Sequence, residues 1–397
     1  MTAKDISEAA RALHFSALVI DGHADTPQRM LDDGYDLAAP LDGGHLNLPS
    51  SREGGLSAEF FVAWADPRRF PRQFARRTLD LIASVRAAVA AHPDETTLAL
   101  SPDDIERAHS VHKLAVLLGV EGGHSIEDSP DRLREYHRLG VRYMTLTWAN
   151  SNGWADSSGD IDDPIVPHTD NGLTAFGEDV VREMNRLGMM VDLSHAADRT
   201  FWRVLEVSRA PVFASHSSAR ALTNSPRNLT DEMLRAVANR GGLVMVNFYS
   251  AFISNRWQQQ WHALRAELQS AHEAQAAECN AACIPLTYDR IAALDRQFAS
   301  RIPRPPLSDL IDHIDHIARV TGTDHVGLGS DFDGMPSLPV GIDSATDLPR
   351  ITAALMDRGW SDKDCRKILG LNFLRFFGEV QATAQRLQAE QPGVDAD

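Results

Sequence analysis

The sequence predicts a (β/α)8 barrel, and three observations support this prediction. Eight short apolar segments recur along the 397 residues, and most of them alternate with helix-like segments. No hairpin turn signal joins one apolar segment to the next. Strands that are apolar throughout and alternate with helices are typical of a parallel sheet covered by helices. The alternative is a doubly wound open sheet, but that fold favours a Gly-rich phosphate loop after the first strand, and none follows it here.

The predicted elements follow one another at short intervals. Strands are predicted at residues 17–20, 56–65, 114–120, 141–148, 189–194, 211–215, 242–248 and 325–330. Helices are predicted at 5–14, 71–92, 130–139, 173–187, 198–208, 230–240, 308–320, 346–358 and 362–378, and another begins at Pro102 behind a capping Ser101. The Gly- and Pro-rich stretch 32–55 is predicted to be a loop. The whole chain, 1–397, is predicted to be one domain, with the Ala-, Gln- and Arg-rich segment 251–301 as a helical insertion after the seventh strand.

Composition excludes several classes of partner. A net charge of −16 argues against binding to nucleic acid or to an anionic membrane surface. Three cysteines without CxxC spacing indicate a reducing compartment. The first eight residues lack the basic flank and apolar core of a signal peptide, and no window approaches the roughly 18 apolar residues of a membrane span. These features predict a cytoplasmic protein.

The first apolar strand ends in a candidate metal-binding pair. His23 and Asp25 are two residues apart, and residues i and i+2 of an extended segment point to the same side. An imidazole and a carboxylate that converge at a strand end can begin a metal site. The pair carries weight only if other strands end in matching side chains.

Later strands do end in such side chains. Residues of metal-ligand or acid/base type stand at the carboxyl ends of five predicted strands: His23, Asp25, Glu121, His195, His216 and Asp331. A closed barrel brings these strand ends to one mouth, where barrel enzymes carry their chemistry. Three imidazoles and two carboxylates exceed the needs of one tetrahedral zinc and suit two divalent ions about 3.5–4 Å apart. Glu121 is the best bridging ligand, because its strand lies between the first strand and the strands of His195 and His216.

Seven motifs, in this order, resemble one known family. They lie at residues 21–25 (DGHAD), 119–124 (GVEGGH), 141–147 (VRYMTLT), 191–195 (VDLSH), 215–217 (SHS), 225–228 (SPRN) and 329–334 (GSDFDG). From about Val19 to Phe377 the chain resembles the membrane (renal) dipeptidases, which are zinc peptidases of the amidohydrolase superfamily. The resemblance implies a soluble, bacterial-type dipeptidase that binds two zinc ions and forms a homodimer.

The resemblance also implies individual roles. One zinc would be held by His23, Asp25 and Glu121, and the other by Glu121, His195 and His216. Asp331 would carry protons, and Arg227 would bind the terminal carboxylate of the substrate, for which a guanidinium fork is well suited. The hypothetical reaction is attack by a bridging hydroxide on the carbonyl of a dipeptide, including dipeptides with a C-terminal D-residue.

One position departs from the family pattern. Vertebrate members carry a substrate-contacting His after the Leu-Thr-Leu-Thr run, whereas this chain has Trp148. An indole donates one hydrogen bond but cannot carry a proton as an imidazole does. Asn150 or Asn152 is therefore a candidate polar contact, and the substrate preference is expected to differ.

Two alternatives to a dipeptidase remain at this point. One is another barrel hydrolase with the same ions, such as a lactonase, deaminase or amidase, and the other is a non-catalytic metal-binding barrel. A second histidine pair, His313 and His316, is predicted to lie on a solvated helix face and not to bind a metal.

Overall fold

Parallel strands form the centre of the computed structural model, which describes residues 6–390. The strands are β1 (Ile20–Ala24), β2 (Ala58–Trp64), β3 (Thr96–Leu98), β4 (Leu114–Glu121), β5 (Val141–Thr145), β6 (Met190–Asp192), β7 (Phe213–Ala214), β8 (Leu243–Asn247) and β9 (Val326–Gly329). Their order is β2-β1-β9-β8-β7-β6-β5-β4-β3, and β2 also pairs with β4. This additional pairing closes eight strands into a barrel, so the predicted fold class is confirmed.

Helices surround the barrel and connect its strands. They are α1 (Glu8–Ser16), α2 (Thr26–Asp32), α3 (Leu48–Glu53), α4 (Phe74–Ala91), α5 (Pro102–Ser110), α6 (Pro130–Arg138), α7 (Ala175–Leu187), α8 (Asp198–Val207), α9 (Asp231–Asn239), α10 (Ser250–Ile253), α11 (Asn255–Ala282), α12 (Tyr288–Ala299), α13 (Leu307–Thr321), α14 (Pro349–Asp357), α15 (Asp362–Arg366) and α16 (Asn372–Glu390). Short 3₁₀ helices cover Gly123–Ile126, Thr323–His325 and Ala345–Asp347, and a π-helical turn, Lys367–Leu371, precedes α16. Of the residues described, none belong to a helix that is both long enough and apolar enough to cross a membrane.

The barrel interior is filled by large side chains below the mouth. Phe60 of β2 packs against Tyr143 of β5 with ring centroids 4.8 Å apart, and Tyr143 packs against Phe213 of β7 at 5.4 Å. Phe373 and Phe376 of α16 contact this group from the amino-terminal end of the strands. Alternate residues of the strands face the helices and form the outer core. The packed floor leaves the carboxyl ends of the strands as the accessible end of the barrel.

Several predicted boundaries differ from the structure. The strand β3 was not predicted, because three residues are too few to show a pattern. It pairs with the first half of β4, and β5 pairs with the second half of the same edge of β4. The stretch 32–55 is not all loop, since Asn47 caps α3 with a reciprocal side-chain bond to Ser50. The predicted first helix starts at residue 5, which lies outside the described residues; the observed helix begins at Glu8.

The expectation of a solvated face for His313 was wrong. Its side chain is buried, and both ring nitrogens have hydrogen-bond partners: the Ala219 N–H donates to Nδ1 at 3.0 Å, and the Thr223 hydroxyl lies 3.3 Å from Nε2. His316 lies nearer the surface of α13, with its Nε2 2.7 Å from Asp231. Neither is part of the barrel mouth.

Candidate active site

The six predicted strand-end residues meet at one end of the barrel. His23 lies in β1 and Asp25 follows it, Glu121 ends β4, and the other three follow β6, β7 and β9: His195, His216 and Asp331. All are buried or nearly so; the most exposed side chain, that of His195, is 12% accessible. The chain therefore places three imidazoles and three carboxylates in a space with little water, which is unfavourable without a compensating positive charge.

The carboxylate of Glu121 is at the centre of this cluster. Its Oε1 lies 2.8 Å from Nε2 of His195, 3.4 Å from Nε2 of His216 and 3.9 Å from Nε2 of His23. Oδ1 of Asp25 lies 3.6 Å from Nε2 of His23. The Nε2 atoms of all three histidines therefore point toward one carboxylate oxygen.

Neighbouring side chains fix the orientation of two of these histidines. The Tyr143 hydroxyl donates to the Gly22 carbonyl and lies 2.8 Å from Nδ1 of His23. The Ser215 hydroxyl donates to Asp192 and lies 2.7 Å from Nδ1 of His216. In both cases Nδ1 carries the proton and donates to a hydroxyl oxygen. The Nε2 lone pair is then free to bind a cation, as is usual for histidine ligands of metals.

Two of the site residues have left-handed backbone conformations. The φ angles of His195 and Asp331 are +67° and +64°, which are uncommon for residues with a Cβ atom. The Asp331 N–H donates to the His23 carbonyl at 3.0 Å, and the Asn247 amide donates to Oδ2 of Asp331 at 2.8 Å. These contacts hold the Asp331 carboxylate beside the end of β1, and such strained conformations are concentrated at functional sites.

The buried acidic and imidazole groups of the site favour a bound cation. Burial raises the pKa of Glu121 well above its usual value, and burial lowers the pKa of His195 and of His216. Burial alone would also lower the pKa of His23, but the carboxylates of Glu121, Asp25 and Asp331 raise it from 6.5 to about 10. The acidic groups thus attract positive charge to this point.

The donor atoms fit a divalent metal ion. Nε2 of His23, Oδ1 of Asp25 and Oε1 of Glu121 are buried and have no hydrogen-bond partner among residues 6–390. Ligand atoms of two overlapping groups lie within 4.8 Å of one another: His23, Glu121 and His216 in one, and His23, Asp25 and Asp331 in the other. Neutral imidazoles with carboxylates are ligands of zinc and of related divalent ions.

A cavity of about 540 Å³ opens above the cluster. Asp25, Glu121, His195, His216 and Asp331 form its base. The side wall includes Trp148, which stacks on Trp64 with ring centroids 4.5 Å apart. A cavity of this size with convergent polar groups is typical of a small-molecule site.

The other two predicted substrate contacts, Arg227 and Asn150, are not among the residues that line this cavity. The Arg227 guanidinium is 9% exposed and donates to the Ser217 hydroxyl and the His216 carbonyl, each at 3.4 Å. Burial lowers the pKa of Arg227, and its Nε has no partner in the part of the chain that the structure describes. Asn150 is not one of the residues that line the cavity; its amide donates to the Ser151 carbonyl at 3.0 Å.

Sequence reasoning missed the residues that orient the cluster. Tyr143, Ser215 and Asn247 lie in or next to apolar strands, where single polar side chains resemble ordinary core residues. Asp192 offered a signal, because it is a charged residue within an apolar strand three positions before His195. A buried Asp in that position must have donors around it, and it accepts from the N–H groups of Ser194 and Ser215.

Comparisons with known proteins agree with this geometry. The model of the membrane dipeptidases, peptidase family M19, matches residues 7–391. Mouse dipeptidase 3 is 32% identical over 394 residues, which are 98% of this chain and 69% of the mouse protein.

Two solved structures are similar over almost the whole chain. The probable dipeptidase PvdM from Pseudomonas aeruginosa has a TM-score of 0.80 and 26% identity, over 96% of this chain and 100% of that one. A metallopeptidase from Rhodobacter sphaeroides, liganded with a phosphinate mimic of the dipeptide L-Ala-D-Ala, has a TM-score of 0.73 and 26% identity, over 92% and 99%. The chain therefore belongs to the membrane dipeptidases, peptidase family M19, and is a metal-dependent dipeptidase.

Proposed function

We propose that this dipeptidase uses two zinc ions that share one ligand. His23, Asp25 and Glu121 would hold the first ion, and Glu121, His195 and His216 the second. The observation that carries the proposal is the position of Oε1 of Glu121, which lies 2.8–3.9 Å from Nε2 of all three histidines. Five such side chains exceed the needs of one tetrahedral ion. When bound, the ions would polarise the scissile carbonyl and lower the pKa of a water molecule between them.

Asp331 is proposed to carry the protons of the reaction. Its carboxylate is grouped with His23 and Asp25, and its Oδ2 is bound by the Asn247 amide. In this position it can accept a proton from the attacking water and deliver it to the departing amine. With this proton the scissile nitrogen leaves as a neutral amine, and one carboxyl group is sufficient for both proton transfers.

Arg227 is proposed to bind the free carboxylate of the substrate. The side chain is anchored beside His216 by two long contacts and retains donors that the protein does not saturate. A buried guanidinium forms a strong bidentate ion pair with a carboxylate. The resulting requirement for a free carboxylate restricts the substrate to short peptides that end next to the metal site.

The wall of the cavity is proposed to contact the rest of the dipeptide. Trp148 lines the cavity and offers an aromatic face, and Asn150 is a candidate polar contact in the same loop. A C-terminal D-residue is proposed to be accepted as well. The L-Ala-D-Ala mimic bound to the similar Rhodobacter sphaeroides enzyme supports this part of the proposal.

We also propose a homodimer, a cytoplasmic location and a single domain with a helical insertion at 251–301. The three cysteines, Cys279, Cys283 and Cys365, are free thiols, which supports a reducing compartment. Size-exclusion chromatography with light scattering would test the dimer.

The test of the function is an assay of L-Ala-L-Ala and L-Ala-D-Ala against the same peptides with amidated C-termini. We expect hydrolysis of the free dipeptides, loss of activity with a chelator and recovery with about two equivalents of zinc per chain. Amidated peptides should react about a hundredfold more slowly, because Arg227 loses its anionic partner. Equal rates on free and amidated peptides would exclude the role of Arg227, and recovery with one equivalent would exclude the second zinc.

A further inference from the structure

The helices α11 and α12 form an antiparallel hairpin that lines the catalytic cavity. Residues from both helices and from the turn between them face the cavity: Gln269, His272, Glu273, Ala276, Leu286, Tyr288, Ile291 and Asp295. The hairpin therefore contributes more of the cavity wall than any barrel strand. Side chains in such a position can reach a substrate that is bound at the metal site.

The hairpin is held firmly over the rim of the barrel. Arg29 binds Asp289 with its Nε 2.7 Å from the carboxylate, and Arg69 donates to the Leu286 carbonyl at 2.7 Å. The Tyr288 hydroxyl donates to the Asp333 carbonyl at 2.9 Å. These contacts join the start of α12 and the turn before it to helix α2 and to the loops after β2 and β9. A wall that is fixed before the substrate arrives loses little entropy on binding.

The start of α12 contacts the barrel on the side opposite Arg227, whereas the start of α11 is bound to the loop after β7. Around the barrel the strands follow the order β1, β2, β4, β5, β6, β7, β8 and β9, so β2 and β7 face each other across the mouth. Arg227 contacts residues that follow β7. Tyr288 packs on Trp64, the last residue of β2, with ring centroids 6.3 Å apart. A dipeptide whose carboxylate is bound by Arg227 and whose peptide bond lies at the metal site therefore directs its N-terminal residue toward the start of α12.

The wall near the metal site is apolar and aromatic. Trp64 stacks on Trp148, Tyr288 meets Trp64 edge-on, and Leu286 and Ile291 continue the surface. Trp64 is nine-tenths buried, and its indole N–H has no hydrogen-bond partner within residues 6–390. Such a surface suits the methylene chain of a long side chain.

Two carboxylates, of Asp295 and Glu273, lie on the same wall. His272 binds Asp295, with Nε2 2.9 Å from Oδ1, and the Gln269 amide donates to Oε1 of Glu273 at 2.8 Å. Each carboxylate thus has a second oxygen to which the structure assigns no partner on the hairpin. Arg68 and Arg69 also line the cavity, but each is paired with another carboxylate, Asp66 and Asp32 respectively.

We propose that this wall is the subsite for the N-terminal residue of the substrate and that it selects a long cationic side chain, that of lysine or arginine. The methylene groups lie on Trp64 and Tyr288, and the charged end reaches Asp295 and Glu273. An apolar stem with a charged tip matches a surface that changes from aromatic to acidic along its length. The inference rests on the proposed binding of the substrate carboxylate by Arg227.

The experiment compares kcat/KM of the zinc-loaded enzyme for Lys-Ala, Arg-Ala and norleucyl-Ala, in which norleucine has a linear side chain without the charge. We expect Lys-Ala and Arg-Ala to exceed norleucyl-Ala by about tenfold, since a charge-assisted hydrogen bond is lost in the last. The double variant Asp295→Asn/Glu273→Gln should remove this preference, mainly by raising KM, and leave norleucyl-Ala within about twofold. Glu278→Gln is the matched control, because Glu278 is exposed on α11 and does not line the cavity.

Each outcome has a distinct meaning. If the wild-type enzyme has the same kcat/KM for norleucyl-Ala as for Lys-Ala, the inference is wrong and the proposed function is unaffected. The same holds if the double variant slows all three peptides equally at unchanged zinc content. Absence of hydrolysis of every dipeptide, with zinc bound, contradicts the proposed function itself.

Discussion

Two buried histidines in different regions of this molecule, His14 and His23, differ in what surrounds their ring nitrogens. His14 of α1 is fully buried, with Nδ1 2.7 Å from the Thr352 hydroxyl and Nε2 2.7 Å from the Gly54 carbonyl. His23 in the barrel mouth is equally buried, but only its Nδ1 has a partner, and its Nε2 faces carboxylates. A buried imidazole with hydrogen bonds at both nitrogens stabilises the folded structure. A buried imidazole with one free nitrogen beside carboxylates can instead bind a cation.

The two environments shift the pKa in opposite directions. Burial lowers the pKa of His14 to about 4, and the single hydrogen bond to a carbonyl does not offset it. At His23 the nearby carboxylates outweigh burial and raise the pKa to about 10. Mutations at the two regions should therefore separate catalytic from structural effects.

The largest effect is expected from Glu121→Gln. The amide cannot supply the negative charge shared by three histidines, so both metal positions lose their common ligand. We expect loss of most bound zinc and a fall in kcat/KM of roughly 10⁴-fold. Metal analysis and turnover of Lys-Ala measure this, with Glu106→Gln on the exposed face of α5 as control. Retention of both metal ions would show that Glu121 is not their bridge.

Asp331→Asn should separate proton transfer from metal binding. The substitution keeps the size of the side chain and removes its basicity. We expect kcat to fall by about 10²–10⁴-fold, while zinc content stays at the wild-type level. Near-normal turnover would remove Asp331 from the proton-transfer role, and loss of zinc would make it a ligand.

The structural region should respond to pH. The pKa of His14 is about 6.5 in the unfolded chain and about 4 in the folded one, so the unfolded state binds more protons between these values. The stabilisation is complete above pH 6.5 and is lost as the pH falls toward 4, by up to about 3 kcal/mol. Urea denaturation at several pH values should show this slope.

His14→Gln should reduce that slope without removing it, because His137 and His313, whose pKa values are also lowered to about 4, titrate in the same window. At pH 8 the variant should keep the wild-type turnover per bound zinc. An unchanged slope would contradict the assignment of a lowered pKa to His14.

The smallest effect is expected at Asn247, which we expect to act on the reaction only by positioning Asp331. Its amide donates to Asp331 and also contacts the His216 carbonyl at 3.4 Å. We expect Asn247→Ala to lower kcat about tenfold and to shift the pH profile of kcat, with KM nearly constant. A change in KM alone would indicate that Asn247 positions the substrate and not Asp331.

The sequence allowed prediction of the barrel and of the residues at its mouth, but not of the residues that orient them. Strand-end residues such as His195 and His216 stand directly after apolar runs, so their position follows from the fold class. Tyr143 and Ser215 could not be singled out, since their role depends on which hydroxyl lies beside which imidazole across the barrel. His313 was wrongly predicted to be solvated, because helical spacing alone does not reveal which face of a helix a neighbouring loop covers.

The pairing of β1 with β9 also has a consequence for biosynthesis. His23 leaves the ribosome early, whereas Asp331 emerges about three hundred residues later, which takes roughly 15–60 s at ordinary rates of translation. Throughout this interval β9 is not yet available to pair with β1. With the proposed role of Asp331, we expect the nascent chain to be inactive until its synthesis is nearly complete, and products truncated before Asp331 to be inactive as well.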